Sequence, residues 1–368
     1  MTRVNDELII NGKRLKNRMT MAPTVKFDFA GPDGKVTEKH IEHYKERAEG
    51  GIGLICVEAT AVTPGGRFGE NHLGLWSDDQ IDGHKVIVKN CHDNDIVAII
   101  QLNHTGITAN PQCGEAIGPS AVETRDGGMS RAMTTDEIHE MQTAFVDAAI
   151  RAKKAGYDGI QLHGCHGYLI NQFAAKKTNL RTDEYGGSTE NRARFGAEII
   201  RDIRKECGDD FLISIRTIGA DPDLSDAIEI AEEYVKAGCD YLQVSHGQGE
   251  IDPSLEDATK PYNLICSLGV RFHEHFKGKV PVSSVNSLLE PEQVKYLIEN
   301  DLTDTVDLAR AVLADPNFPK AVLEEGKSYV KCFECARCQY GPFTQHKCPA
   351  EMKRKKIKHM GPIDDYKA

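Results

Sequence analysis

The sequence predicts an α/β protein, a TIM (β/α)8 barrel with a short cysteine-rich extension at its C-terminal end. Three observations predict it. Eight short β-rich runs each precede a longer amphipathic run, the order expected of a parallel sheet closed on itself. The chain has 368 residues, 40% of them hydrophobic, which suits one large domain with a sizeable core. A doubly wound dinucleotide fold would want a Gly-rich phosphate turn after an early strand, and none stands there. On this reading residues 1–327 form the barrel and residues 328–368 the extension.

The elements follow in order. Strands are placed at 18–21, 52–57, 96–101, 159–163, 212–217, 241–245, 280–283 and 305–308. Their helices are placed at 37–49, 77–93, 135–154, 188–206, 225–236, 262–276, 291–299 and 318–325. Several helices open on a capping side chain, as at Thr37, Ser77, Thr135, Ser188 and Ser225. Two long, polar, Gly-rich stretches, 102–134 and 164–187, read as loops roofing the mouth above strands three and four. No internal repeat at fixed period is present. The tail beyond Pro349, with its Lys-Arg-Lys-Lys run, reads as a solvated charged end.

The charge sum is −11, and no Lys/Arg stripe interleaved with aromatics stands out. Nucleic acid and anionic membrane are therefore excluded as partners. The N-terminus has no apolar run of signal-peptide length, and no segment is long enough to span a bilayer, so a cytoplasmic protein is expected. There are eleven cysteines. Seven are scattered and read as buried thiols, while Cys332, Cys335, Cys338 and Cys348 cluster and ask for a metal.

A barrel delivers the last residues of every strand to one face. Those residues are Ala22, Pro23, Thr24 and Val25 after strand one, and Glu58, Ala59 and Thr60 at strand two. Gln101 and His104 follow from strand three, and His163, His166 and Tyr168 from strand four. Arg216, Ser245 with His246, and Ala309 with Arg310 complete the set. Each alone has a bland reading: a core histidine, a tethering Arg, a Glu58 that anchors a loop. Their convergence suits a planar, hydrogen-bonding, anionic ligand.

These residues resemble the old yellow enzyme family of FMN-dependent ene-reductases. The resemblance rests on Met21-Ala22-Pro23, on Tyr44 to Ile55 with Glu58-Ala59-Thr60, and on Gln101-Leu102-x-His104-x-Gly106. It continues in His163-x-x-His166-Gly167-Tyr168, in Arg181-Thr182-Asp183-Glu184-Tyr185-Gly186-Gly187-Ser188, and in Ala309-Arg310-x-x-Leu313-Ala314-Asp315-Pro316. It covers roughly residues 8–325. It implies FMN held over the strand ends, lined by Ala22, Pro23, Thr24 and Val25, with Ala59 and Gln101 at the polar ring edge. Arg216 would lie near N1 and O2, where a cation stabilises the anionic reduced ring. Arg310, with the backbone of Ala309, would hold the phosphate. His163 and His166 would bind a substrate carbonyl oxygen and stabilise the enolate as hydride leaves flavin N5 for Cβ. Tyr168 would protonate Cα, and Phe27 and His246 would face the substrate.

The chain departs from the family in four places. Val25 stands where a Cys or Thr often tunes the flavin, and Phe27 where some relatives place a Tyr. After strand seven, Val285-Asn286-Ser287 replaces a Gly-Gly phosphate turn, and Ala309 replaces a Gly. Asn tolerates positive φ better than most residues, and the Ser287 hydroxyl can itself bond phosphate.

Cys332-x2-Cys335-x2-Cys338-x9-Cys348-Pro349 is similar to a [4Fe–4S] loop, with zinc as the alternative. Larger relatives of the dienoyl-CoA reductase and trimethylamine dehydrogenase type carry such a loop after the barrel. They continue into a second nucleotide-binding domain, whereas this sequence runs only about twenty residues past Cys348. NAD(P)H, or a separate electron-donor flavoprotein or ferredoxin, would then reduce it. The resemblance implies reduction of the C=C bond of an enone, enoate or enoyl thioester. The alternatives are a flavin/iron–sulfur amine dehydrogenase and an electron-transfer subunit with no substrate of its own. The natural substrate, the choice of nucleotide and any homo-oligomeric state are not written in the sequence.

Overall fold

The computed structural model describes residues 2–247, 250–335 and 348–356. Eight strands close a barrel: β1 Met19–Met21, β2 Leu54–Ala61, β3 Val97–Asn103, β4 Gly159–Gly164, β5 Leu212–Ile218, β6 Tyr241–Ser245, β7 Val282–Val285 and β8 Thr305–Leu308. They neighbour one another in chain order, β8 returns to β1, and the pairings are parallel. The outer ring is α1 Glu38–Ala48, α2 Ile81–His92, α3 Thr135–Ala155, α4 Thr189–Cys207, α5 Leu224–Lys236, α6 Leu264–Phe276 and α7 Pro291–Glu299, followed by short helices Arg310–Ala314 and Phe318–Leu323.

The local chemistry explains these boundaries. At the start of α3, Thr134 Oγ1 accepts from the Glu137 N–H (3.2 Å) and the Glu137 carboxylate accepts from the Thr134 N–H (2.8 Å). This reciprocal pair satisfies two amides that the first turn leaves open. The helix stops at Gly156, whose φ of +93° a side chain would resist. Outward strand residues pack against the apolar stripes of the helices in one continuous core. A second cluster of Ile10, Leu15, Leu54, Cys56, Val97, Ile99, Leu212 and Tyr241 plugs the lower barrel. Each large aliphatic side chain buried there is worth roughly 1.5–3 kcal/mol. Above the plug the interior turns polar: Gln101, Gln161, Gln243, His163 and Asp307 are all buried. Groups of that kind belong to a site or must bond one another.

The structure adds elements to the sequence reading. Leu8–Ile10 and Lys13–Leu15 form an antiparallel hairpin under the barrel. Its turn, Asn11-Gly12, has positive φ at both residues, the hairpin signal the reading passed over. A two-stranded ribbon, Ile117–Gly118 with Arg131–Ala132, and a helix, Leu169–Ala174, occupy the two long loops. The charged tail is corrected in part. Pro349–Arg354 is a helix, and Arg354 (3.0 Å) and Lys355 (2.9 Å) pair with Glu46 of α1, while Lys353, Lys355 and Lys356 are exposed as a charged end would be. No helix among the described residues is long and apolar enough to cross a membrane.

Candidate active site

The site is built on the carboxyl ends of the strands. β4 ends at His163-Gly164, and the chain then turns sharply, with positive φ at His166 (62°) and Gly167 (75°). The Asn171 side-chain oxygen Oδ1 accepts from the Gly167 N–H (2.8 Å) and fixes that turn. Gln172 ties it to the preceding loop, donating to the carbonyls of Gly167 and Thr105 and accepting from the Ile107 N–H. The result sets His166 back against His163, with His163 Nε2 2.9 Å from His166 Nδ1. His166 Nε2 lies 2.9 Å from the Ser245 hydroxyl of β6, which also accepts from Arg216 at 3.3 Å. The Tyr168 ring lies 4.7 Å from that of His163, centroid to centroid.

The electrostatics of this group are set by burial. Burial, with Arg216 close by, pushes His166 down to about 3, and holds His163 well below the ordinary imidazole range with His166 adding to the effect. Both rings are neutral through the physiological range. Burial pushes the Tyr168 phenol up to about 12, so it keeps its proton. Among the described residues His163 Nδ1 is buried without a hydrogen-bond partner. Nitrogen and sulfur atoms of His163, Cys165 and His166 lie within 4.8 Å of one another. The two imidazoles already bond each other, however, and burial lifts the Cys165 thiol to about 12, so this is a poor metal cage.

Beside the histidines lies a cavity of about 250 Å³, walled by His166, Arg216, His246, Asn286, Ser287, Asp307, Ala309 and Arg310 among others. Asn286 (φ 103°) and Ser287 (φ 52°) both hold positive φ, and Arg310 donates to the Ser287 hydroxyl at 2.6 Å. A guanidinium, a hydroxyl and a left-handed turn around one space form an anion cradle. Among the described residues Arg216 Nε and Asp307 Oδ2 are buried without hydrogen-bond partners, as expected of groups that meet a polar ligand.

The remaining expected residues lie outside this cavity. Thr24 Oγ1 donates to the Ala22 carbonyl (3.0 Å), and the Ala59 carbonyl lies 2.7 Å from His72 Nε2. Pro23 and Val25 are partly exposed on the same segment. Glu58 accepts from the Lys26 N–H (2.6 Å) and the Tyr44 hydroxyl (3.2 Å), so it anchors the loop after β1. Phe27 lies in a ring cluster with Phe68 (6.2 Å), and Phe68 lies 4.9 Å from Tyr168 and 4.6 Å from His72. Sequence reasoning did not single out Phe68, His72 or Asp307 for the site. An acid in the middle of the apolar run Thr-Val-Asp-Leu was the available signal for the last.

Of the four clustered cysteines, Cys338 lies outside the described residues. Cys335 is buried, and Cys332 and Cys348 are partly so. The Cys332 sulfur accepts from the Glu334 N–H at 3.4 Å. Asp315 accepts from the Val330 N–H, and Tyr329 and Lys331 both reach Glu290, which moors the extension to the barrel. Glu334 comes within 4.0 Å of Arg310, and Cys348 lines a second cavity with Lys26, His43 and Arg47.

A closed parallel barrel with an anion cradle, a cation and a neutral imidazole pair at its mouth defines the class of barrel oxidoreductases that hold a phosphorylated cofactor. Residues 8–328 match the NADH:flavin oxidoreductase / NADH oxidase family, and the chain belongs to it. It is 38% identical over 322 residues to an NADPH dehydrogenase of Halalkalibacterium halodurans, covering 86% of this chain and 93% of that one. It is similar to the old yellow enzyme homologue from Zymomonas mobilis (TM-score 0.77, 26% identity, 94% and 99% covered). It is also similar to 2-naphthoyl-CoA reductase in complex with 2-naphthoyl-CoA (TM-score 0.83, 28% identity), covering 90% of this chain and only about half, 54%, of that one. The protein is thus an FMN-dependent oxidoreductase of the old yellow enzyme family.

Proposed function

We propose that the protein reduces the C=C bond of an α,β-unsaturated carbonyl compound, an enone, an enoate or an enoyl thioester. The observation that carries this is the neutral His163–His166 pair with the protonated Tyr168 phenol beside it. FMN, when bound, supplies the hydride that the β carbon receives. The residues of the cavity suit it: Asn286, Ser287, Ala309 and Arg310 for the phosphate, Arg216 for the electron-rich edge of the ring. Gln101, Ala59 and the segment Ala22 to Val25 would meet the rest of the ring.

The chain's own part is charge and proton handling. A carbonyl oxygen entering between the two imidazoles replaces their mutual hydrogen bond and takes a proton donor from each. These donors bind the oxygen more strongly as it becomes an enolate, which lowers the barrier. Because both rings are uncharged, they polarise the oxygen without protonating it outright. Tyr168 then gives its proton to Cα. Phe27, Phe68 and His246 would border the substrate.

We further propose that the four cysteines hold a [4Fe–4S] cluster that passes electrons to the barrel from a separate flavoprotein or ferredoxin, with NAD(P)H as the direct alternative. Support comes from the position of the extension, with Glu334 against Arg310 and Cys348 beside Lys26. A specific observation also favours a second reading, oxidation of an amine: the rings of Phe27, Phe68 and Tyr168 cluster as a cation-binding wall would. The test is anaerobic turnover of 2-cyclohexenone, cinnamaldehyde and an enoyl thioester with NADPH or reduced ferredoxin, beside a panel of methylated amines. Alkene reduction with no amine oxidation is expected; the reverse pattern would sink the proposal. An absorption spectrum of the purified protein with no broad iron–sulfur band, and no iron, would remove the cluster.

A further inference from the structure

Five buried side chains form one directed hydrogen-bond chain across the barrel. Gln101 Nε2 donates to Gln161 Oε1 at 2.7 Å, Gln161 Nε2 donates to Gln243 Oε1, and Gln243 Nε2 donates to Asp307 Oδ1 at 2.9 Å. Thr20 closes it from β1, its hydroxyl donating to the same Asp307 oxygen. All five side chains are at most 1% exposed. The chain therefore runs beneath the whole mouth, from β3 through β4 and β6 to β8 and back to β1.

The direction of such a chain is not fixed by amides. Each glutamine can turn over and exchange its donor end for its acceptor end, and a chain of three has two nearly equivalent polarities. A carboxylate removes that freedom, because it accepts only. Gln243 must turn its NH2 to Asp307, so its carbonyl faces Gln161. Gln161 must then donate to Gln243 and accept from Gln101. Gln101 ends with its NH2 committed to Gln161, which makes its carbonyl oxygen the end that can accept from a ligand.

The polar partners of Asp307 only in part offset the cost of burying an acid. Asp307 faces Thr20 from β1, Arg216 from β5, Gln243 and Tyr241 from β6, Ser283 from β7 and Cys56 from β2, of which only Arg216 is a cation. Its second oxygen is buried without a hydrogen-bond partner among the described residues. A buried carboxylate left half satisfied destabilises the fold, and a neutral side chain would fill the same space at less cost. Burial lifts the carboxyl only to about 6, so the anion prevails at neutral pH.

We propose that Asp307 is a positioning residue: it fixes the donor-to-acceptor direction of the Gln243–Gln161–Gln101 chain and so sets Gln101 to accept a hydrogen bond from the N3–H of the flavin. The inference rests on the placement of Gln101 against the ring proposed above, and the experiment separates the two. The probe is FMN labelled with 15N, bound to the protein, with the exchange rate of the N3–H proton and the N3, N5 and N10 shifts read by NMR. Asp307→Asn keeps the shape and lets the chain reverse; Gln243→Met breaks it one link away with Asp307 intact. Both are expected to speed N3–H exchange at least tenfold and to weaken FMN binding roughly tenfold, the loss of about one hydrogen bond. N5 and N10 should hardly move. Gln101→Leu is the reference and should do the same. Fast exchange in Gln101→Leu but wild-type exchange in the other two overturns the relay and leaves the placement standing. Unchanged exchange in Gln101→Leu overturns the placement and the relay with it. Changes spread evenly over N3, N5 and N10 would mark Asp307 as merely structural and likewise overturn the inference.

Discussion

Two neighbouring stretches, His163 to Tyr168 and Asn179 to Arg192, are both rich in polar residues and do opposite things. In the second, polar groups are spent on the chain itself. Asn179 donates to the carbonyls of Phe173 and Tyr185, and Arg181 grips Asp183 and the carbonyls of Pro119 and Met133. Arg192, almost wholly buried, forks onto Asp226 at 2.7 and 3.0 Å and also reaches the Ala174 carbonyl. In the first stretch, among the described residues, His163 Nδ1 has no hydrogen-bond partner, and His166 bonds His163 and Ser245, the latter on the cavity wall. The difference separates scaffold from site better than residue type does: although Arg192 Nε is also left without a partner among the described residues, the second stretch turns its polar groups onto the chain, and the first turns His166 to the cavity.

The largest expected effect lies on the scaffold side. Arg192→Ala leaves Asp226 buried, with only Lys176 (2.7 Å) to answer it. Removing one partner of a buried pair costs about 3 kcal/mol. Thermal melting should show a clear drop in midpoint, while the protein that stays folded keeps its affinity for FMN and for phenols. A variant that melts normally but loses ligand binding would reverse the assignment of this stretch.

Next is Tyr168→Phe. Turnover of an enone should fall about 100-fold, the usual worth of a positioned acid. Flavin reduction measured by stopped flow, and the melting midpoint, should stay near wild type. Unchanged turnover would take Tyr168 out of the reaction and move it to the scaffold side of the comparison.

A smaller loss is expected for His163→Ala. A phenolate placed between the two imidazoles mimics an enolate, and losing one donor should weaken it roughly tenfold. Titration of the flavin charge-transfer band measures this. An affinity equal to wild type would leave the two rings without a shared anion.

The same contrast explains what was legible in the sequence. The barrel was legible because each strand–helix unit carries its own pattern, and β6 and β8 fall where the reading put them. β7 lies two residues later than expected, at Val282–Val285, since nothing local marks where a short buried run begins. His163, His166 and Arg216 were legible as strand-end polar residues, and the structure brings His166 and Arg216 onto Ser245 with His163 bonded to His166. Phe68 and Asp307 were not singled out. Phe68 sits in a loop whose path is set by contacts with Tyr168 and His72, and Asp307 acquires meaning only through Gln243, 64 residues away. Such pairings are tertiary facts with no local signature. The helix in the tail was hidden likewise, because its hold is the ion pairing to Glu46.

The smallest expected effect tests the charge of the imidazoles. Burial and Arg216 hold His166 down at about 3, and burial with His166 holds His163 lower than the usual range. A group with a depressed folded value gains no proton until the pH falls to that value, so between pH 8 and pH 5 neither ring should change charge. Binding of a phenol acidic enough to stay ionised over that window should therefore vary less than about twofold. Were either ring to titrate near the ordinary value of about 6.5, the protonated form would attract the anion and affinity would climb as pH drops through 6.5. A steep rise of that kind would show that the stretch carries a cation instead of a pair of neutral donors. The proposed handling of the enolate would then have to be rebuilt around proton transfer from histidine, with Tyr168 released from that role.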